Sequence, residues 1–212
     1  MQPAGLVPLD PKKRIHLILD SSWRIFKSQF IHGRHPVLKE APFQHHFANI
    51  ISSVGGLYCI QRNDSFVVDL ETKCENIKNK SKYLDITCAL NRDIKCAIEL
   101  KFKTAKQGAQ DHGRIDAYVD IEAVELACKS AGYTFGKFYM ITDSATYVHQ
   151  SKKGIGTIFA THQGFESPTH KLCSQSKGRE GIEVCLEHPY RFDWQKIHEW
   201  YFLDLTICDT LS

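Results

Sequence analysis

The sequence predicts an α/β fold, a central mixed β-sheet flanked by helices. Three observations predict it. Segments with apolar residues at helical spacing intermix along the chain with segments of strict alternation. The two clearest alternating segments are neighbours, separated by a short polar turn, which is the pattern of a hairpin. No stretch of linker composition divides the 212 residues, so residues 1–212 read as one domain.

The elements follow in order. Asp10-Pro11 reads as an N-cap with proline at the first helical position. Ile15, Ile18, Leu19, Trp23, Phe26 and Phe30 then recur at helical spacing, giving a first helix over about 10–30. Phe43, Phe47, Ile50, Ile51 and Val54 mark a second helix that closes at Gly55-Gly56. A strand at 66–70 leads into a lysine-rich stretch, Lys73 to Lys82, expected as a charged loop. Two alternating segments, 83–90 and 95–103, come next. A polar loop then leads to a helix at about 113–131, with Ile115, Tyr118, Val119 and Leu126 on its apolar side and Asp116, Asp120 and Glu122 on a solvated one. A strand at 135–142 follows, then a strand near 181–186, a short helix at 193–201 and a final strand at 202–208.

Composition sets limits. Hydrophobic residues make up 42% and charged residues 24%, ordinary for a globular protein, and no apolar run is long enough to span a membrane. Met1–Gly5 shows no basic segment leading into an apolar one, so most of the eight cysteines read as small buried hydrophobes of a cytoplasmic protein. The net charge of +3 is too small to announce a nucleic-acid binder. Its distribution is more informative. Between Glu71 and Lys106 nine Lys and Arg face five Asp and Glu, a local excess of four positive charges.

The hairpin carries the chemistry. Leu84, Ile86, Cys88 and Leu90 share one face of the first strand, and Cys96, Ile98, Leu100 and Phe102 share one face of the second. Both faces reach the same core only if the loop has an odd number of residues. Asn91-Arg92-Asp93 satisfies this and pairs Leu90 with Ile94, Cys88 with Cys96 and Ile86 with Ile98. Extended further, that register pairs Leu84 with Leu100 and sets Asp85 opposite Glu99 on the polar face, with Lys101 diagonal to Asp85. Two opposed carboxylates repel, and a divalent cation is a natural compensation. A lysine beside such a cation can orient a water or hold charge on a phosphate.

Asp85 in Tyr83-Leu84-Asp85-Ile86, with Glu99 and Lys101 in Ile98-Glu99-Leu100-Lys101, resembles the PD-(D/E)XK nuclease superfamily. The resemblance spans roughly residues 36–145, with 146–212 specific to this chain, and departs from the pattern at Leu84, where the superfamily's name has proline. It implies a restriction-endonuclease-like core of order αβββαβ and a Mg²⁺-dependent endonuclease acting on DNA, with Mn²⁺ as an alternative metal. Asp85, Glu99 and the Leu100 carbonyl would hold the metal. Lys101 would activate or orient water, and Glu40, one turn before Gln44, would be a further acidic member. A homodimer is implied too, since restriction-type enzymes often pair two sites across a duplex. Lys78, Lys80, Lys82, Lys103 and Lys106 are expected to track the phosphate backbone beside the site. A second Glu-x-Lys, Glu71-Thr72-Lys73, is set aside because it falls at a strand end with no opposed acidic strand.

Two other readings are carried. One is a catalytically silent DNA-binding or assembly domain on the same fold. The other is a zinc-stabilised interaction module built on His170, Cys173, Cys185 and His188. Tyr190, Trp194, Trp200 and Tyr201 are expected in the core rather than on bases.

Overall fold

The computed structural model describes residues 6–108 and 110–209; Met1–Gly5, read above for a leader, lie outside them. The element order begins α1 (Pro11–Ile31), α2 (Glu40–Leu57), β1 (Phe66–Ile77), β2 (Lys80–Leu90), β3 (Ile94–Lys103), α3 (Gln110–Ser130) and β4 (Phe135–Thr142). Two single-turn helices follow, α4 (Ala145–Val148) and α5 (Ile155–Ile158). The chain ends with β5 (Leu172–Cys173), β6 (Glu183–Val184), β7 (Gln195–Ile197) and β8 (Trp200–Ile207). Six strands form one mixed sheet in the order β1-β2-β3-β4-β8-β7, in which only the β3–β4 pair is parallel. The α3 helix makes the crossover between those two strands, as a parallel pair requires.

Helices cover both faces. On one, α1 and α2 pack Trp23, Phe26, Phe43 and Phe47 against Ile86, Ile98, Leu100 and Tyr139. On the other, α3 lays Tyr118, Ile121 and Val124 on Ala97, Phe138 and Leu203, and the C-terminal segment adds Leu186, Phe192 and Trp194. Every residue of β4 is buried, as expected for a strand covered on both faces. Among the described residues no helix is long and apolar enough to cross a membrane. All eight cysteines are free thiols, but against expectation only Cys74, Cys88 and Cys96 are buried, and Cys173 and Cys185 are exposed.

The expected start of α1 is met: Asp10 accepts from the N–H groups of Lys12 (2.8 Å) and Lys13 (3.1 Å). The three-residue loop at 91–93 is present, with Leu90, Cys88 and Ile86 paired to Ile94, Cys96 and Ile98. Asn91 and Arg92 take positive φ there, and the Asn91 amide holds the loop by bonding Ser65 N–H and Asp64.

Several expectations need correction. The lysine-rich stretch is a hairpin and not a loop, since β1 continues to Ile77 and turns through Lys78-Asn79, both at positive φ, into β2. The helix expected at 193–201 is a second tight hairpin, β7 to β8, closed by His198-Glu199 with His198 at φ 52°. The strand near 181–186 shrinks to the two residues of β6. Tyr190 and Trp194 are buried as expected, while Trp200 and Tyr201 are half-buried.

Leu84 is the most consequential correction. It belongs to the α3 face, whereas Ile86, two residues on, belongs to the α1/α2 face. The partner strand does the same: Val68 packs on the α1/α2 side and Cys74 on the α3 side. Both strands therefore exchange faces at one level, where the paired register skips Glu71 and Asp85. The cause lies at Glu71, whose φ of 49° breaks the two-residue alternation. Glu71 is thus mid-strand and level with Asp85, not at a strand end.

Candidate functional site

The site forms where β2 parts from β3. Their paired residues run from Leu90/Ile94 to Ile86/Ile98 and stop there, so Asp85 is not laid across from Glu99 as a further ladder pair. Beyond that point the N–H groups of Leu100 and Phe102, two residues apart and so on the same edge of β3, need other acceptors. Carboxylates supply them. Asp85 Oδ2 accepts from Leu100 N–H at 2.7 Å, and Glu40 Oε2, from the first turn of α2, accepts from Phe102 N–H at 3.2 Å. In a strand a residue's carbonyl points to the same edge as its N–H, so the Leu100 carbonyl also faces this opening.

The exchange of faces has a second effect. Past Asp85, Lys82 points toward α3 together with Leu84, onto the face that carries Glu99 and Lys101. Lys82 Nζ lies 3.2 Å from Glu99 Oε1 and 2.6 Å from Asp120 Oδ1. Lys101 Nζ lies 2.6 Å from Asp120 Oδ2 and 3.4 Å from Glu40 Oε1. Gln44 closes the other side, its Nε2 donating to Glu71 Oε1 (2.8 Å) and to the Asp85 carbonyl (2.6 Å). So Asp85, Glu99, Lys101 and Glu40, separated by up to 61 positions in sequence, do meet.

Asp120 is the residue whose place the sequence understates. Helical pattern favours a solvated face over charge near the site, yet Asp120 is 7% exposed. The α3 helix is buried around most of its circumference because the C-terminal segment covers the side away from the sheet. A signal existed: Ala117 and Ala123 flank Asp120 at three-residue spacing, and small residues let a helix approach a sheet closely. Glu122 is likewise buried, accepting from Cys185 N–H and pairing with Lys78. Asp116 pairs with Arg179.

The electrostatics are those of a crowded anionic site. Burial, with help from Asp120 and Glu40, pushes Asp85 up to about 6, although the Leu100 N–H and Lys101 pull the other way. Burial and the nearby Asp120 and Asp85 raise Glu99 well above the usual carboxylate range. Asp120 goes down instead. Burial opposes its charge, but Lys101 and Lys82 outweigh that. Lys101 is raised, since Asp120 and Glu40 overcome the cost of burying its charge. With all four carboxylates ionised, the two ammonium groups would leave an excess of two negative charges, the charge of one divalent cation; the raised Asp85 and Glu99 show how strongly the metal-free site resists that state.

Hard oxygen donors suit Mg²⁺ or Mn²⁺. The buried Glu99 Oε1 and Asp120 Oδ2 sit at ion-pair distance from a lysine, yet no hydrogen bond of good geometry reaches either. Under-satisfied buried carboxylate oxygens are what a cation would complete. Their chemistry is that of hard-cation ligands, but among the described residues no group of three or more His, Cys, Asp or Glu is placed to hold a metal ion. His170, Cys173, Cys185 and His188 are not gathered into such a group either. All four are exposed, and Cys185 Sγ donates to the Thr169 carbonyl at 3.7 Å.

The five lysines expected along a phosphate backbone fall into two groups. Lys78, itself exposed, pairs with Glu122, and half-buried Lys82 pairs with Glu99 and Asp120. Lys80 and Lys106 are exposed and Lys103 is half-buried.

No family model, curated protein or solved structure matches the chain.

Proposed function

We propose that this protein is a Mg²⁺-dependent endonuclease that hydrolyses DNA phosphodiester bonds, on a restriction-endonuclease-like core. The observation that carries the reading is the convergence of Asp85, Glu99 and Lys101 at the point where β2 leaves β3, with an excess of two negative charges around them once all four carboxylates ionise. The order α2-β1-β2-β3-α3-β4 supports it, being the order the resemblance implies. So does the position of the site, toward the carboxyl end of a central strand next to a parallel partner.

In this reading Asp85, Glu99 and the Leu100 carbonyl would hold the metal. A divalent cation in such a site acidifies a bound water and draws charge from a phosphoryl oxygen. Lys101 works as a cation. Its raised pKa keeps it protonated at neutral pH, so it orients the attacking water and holds negative charge on the phosphate, and does not take up the water's proton. Asp120 and Glu40 fix its ammonium from two sides, and Gln44 holds the backbone of Asp85.

Incubation of the purified protein with supercoiled plasmid and either Mg²⁺ or Mn²⁺ tests the reading, beside Asp85→Asn and Lys101→Ala. Nicking by wild type that both variants lose by at least about a hundredfold supports it. One observation favours a catalytically silent DNA-binding domain instead: Lys82 partly balances the carboxylates from within. Plasmid binding without cleavage under either metal would establish that second reading.

A further inference from the structure

Lys82 does not belong to the Glu-x-Lys pattern, yet it sits at the centre of the site. Its ammonium bridges Glu99 Oε1 and Asp120 Oδ1 at 3.2 and 2.6 Å, while the other Asp120 oxygen is held by Lys101 at 2.6 Å. Its side chain is 24% exposed. The remaining surface opens onto a groove of about 480 Å³ between the β1–β2 turn, α3 and the 181–183 segment. Ser81, Val119, Ile182 and the carboxylates of Glu122 and Glu183 line that groove. Lys78 and Lys80 line it too, Lys78 paired with Glu122 and Lys171 with Glu183, and a lysine with four rotatable bonds can turn from the bridge toward this opening.

We propose that Lys82 is a resident counter-cation of the carboxylate site: its ammonium occupies the Glu99 carboxylate that a divalent cation shared with Asp85 would need, and metal loading displaces it from Glu99 toward the groove. This rests on the reading of the cluster as a metal site. The physical argument is competition. An ammonium at 3 Å and a divalent cation cannot both occupy the same carboxylate oxygens without strong repulsion, because like charges at that distance in a partly buried site interact strongly. The bridge stabilises the metal-free protein and lowers its apparent affinity for metal. Metal is then bound firmly only when something else adds to its ligands, and a substrate phosphate is the group that does so. Lys82 in this way ties metal occupancy to the presence of substrate.

The test uses the full chain and Mn²⁺ as the probe, at one fixed pH. Calorimetric titration gives the Mn²⁺ affinity of wild type, Lys82→Met and Lys82→Arg. Amine acylation followed by mass spectrometry gives the reactivity of Lys82 relative to exposed Lys80, with and without saturating Mn²⁺. Lys82→Met is expected to bind Mn²⁺ at least about tenfold more tightly than wild type, and Lys82→Arg to stay near wild type. Acylation of Lys82 should rise severalfold when Mn²⁺ is added while Lys80 stays constant. If wild type binds Mn²⁺ and Lys82 reactivity does not change, the counter-cation role is wrong and the metal site stands. If wild type binds no Mn²⁺, both fall. Should the Met variant fail to fold, the acylation of wild type decides alone.

Discussion

The Asp85 carboxylate accepts the backbone N–H of Leu100 at 2.7 Å, a side chain standing in for a missing ladder bond between two strands. One oxygen thus serves the fold, while the charge of the group serves the proposed chemistry. These roles separate by substitution. Asp85→Asn keeps an acceptor for Leu100 and removes the charge. Asp85→Ala removes both and leaves a buried donor unpaired, at about 1–3 kcal/mol. Urea unfolding should therefore show Asp85→Asn close to wild type and Asp85→Ala clearly destabilised, with plasmid cleavage lost in both. Equal stability of the two variants would mean that the bond to Leu100 contributes nothing.

The raised pKa of Asp85 gives a pH dependence with a definite sign. The folded protein holds this proton up to about pH 6, whereas the carboxyl's ordinary value is 3.8. Between those values the folded state binds more protons than the unfolded chain, so stability falls as pH rises through the window. Without metal, wild type should gain on Asp85→Asn as the pH drops from 7 to 5, by about 1.4 kcal/mol for this one group. Divalent metal favours the ionised carboxylate, so Mn²⁺ affinity should run the opposite way and increase through pH 6. Urea midpoints and calorimetry at pH 5, 6 and 7 check both slopes.

Much of this arrangement could be read before the structure, and the unread parts share a cause. The odd loop length at 91–93 was enough to pair Cys88 with Cys96 and Ile86 with Ile98, because alternation and a shared core leave few registers open. The same alternation misplaced Leu84. The face exchange depends on a left-handed φ at Glu71, and glutamate gives no sign of that in a sequence. Lys82 was misread with it, since only the exchange turns it toward Asp120. Asp120 was hidden for another reason. Its burial needs the covering segment 172–194 to be in place, a long-range fact that helical periodicity does not carry.

Glu71 offers a direct test of that exchange. A non-glycine residue at φ 49° carries strain of roughly 1 kcal/mol, which glycine avoids and a β-branched residue aggravates. Glu71→Gly also loses the bond from Gln44, so its net effect on stability should be small. Glu71→Val should cost about 2 kcal/mol or more by urea unfolding. It should also weaken cleavage, because straightening the strand draws Lys82 and Asp85 out of place. A Val variant as stable as wild type would show that the exchange is held by the surrounding packing and not by this residue.

The division of the lysines leads to a salt-dependence experiment. Lys80 and Lys106 are exposed, flanking the site in sequence on either side, and are free to approach phosphates. Lys78 is drawn inward by Glu122 at 2.5 Å and the Glu183 carbonyl, holding the β1–β2 turn onto α3. A lysine that neutralises a phosphate releases condensed counterions, and its removal lowers the slope of log K against log salt by about 1. Lys80→Ala and Lys106→Ala should each reduce the slope by that amount in fluorescence titrations with a short duplex and Ca²⁺ in place of Mg²⁺. Lys78→Ala should leave the slope unchanged and lower the unfolding midpoint, since it removes the partner of buried Glu122. Slopes unaffected at both Lys80 and Lys106 would move the DNA path away from the hairpin, and with it the grounds for reading the local positive charge as a phosphate track.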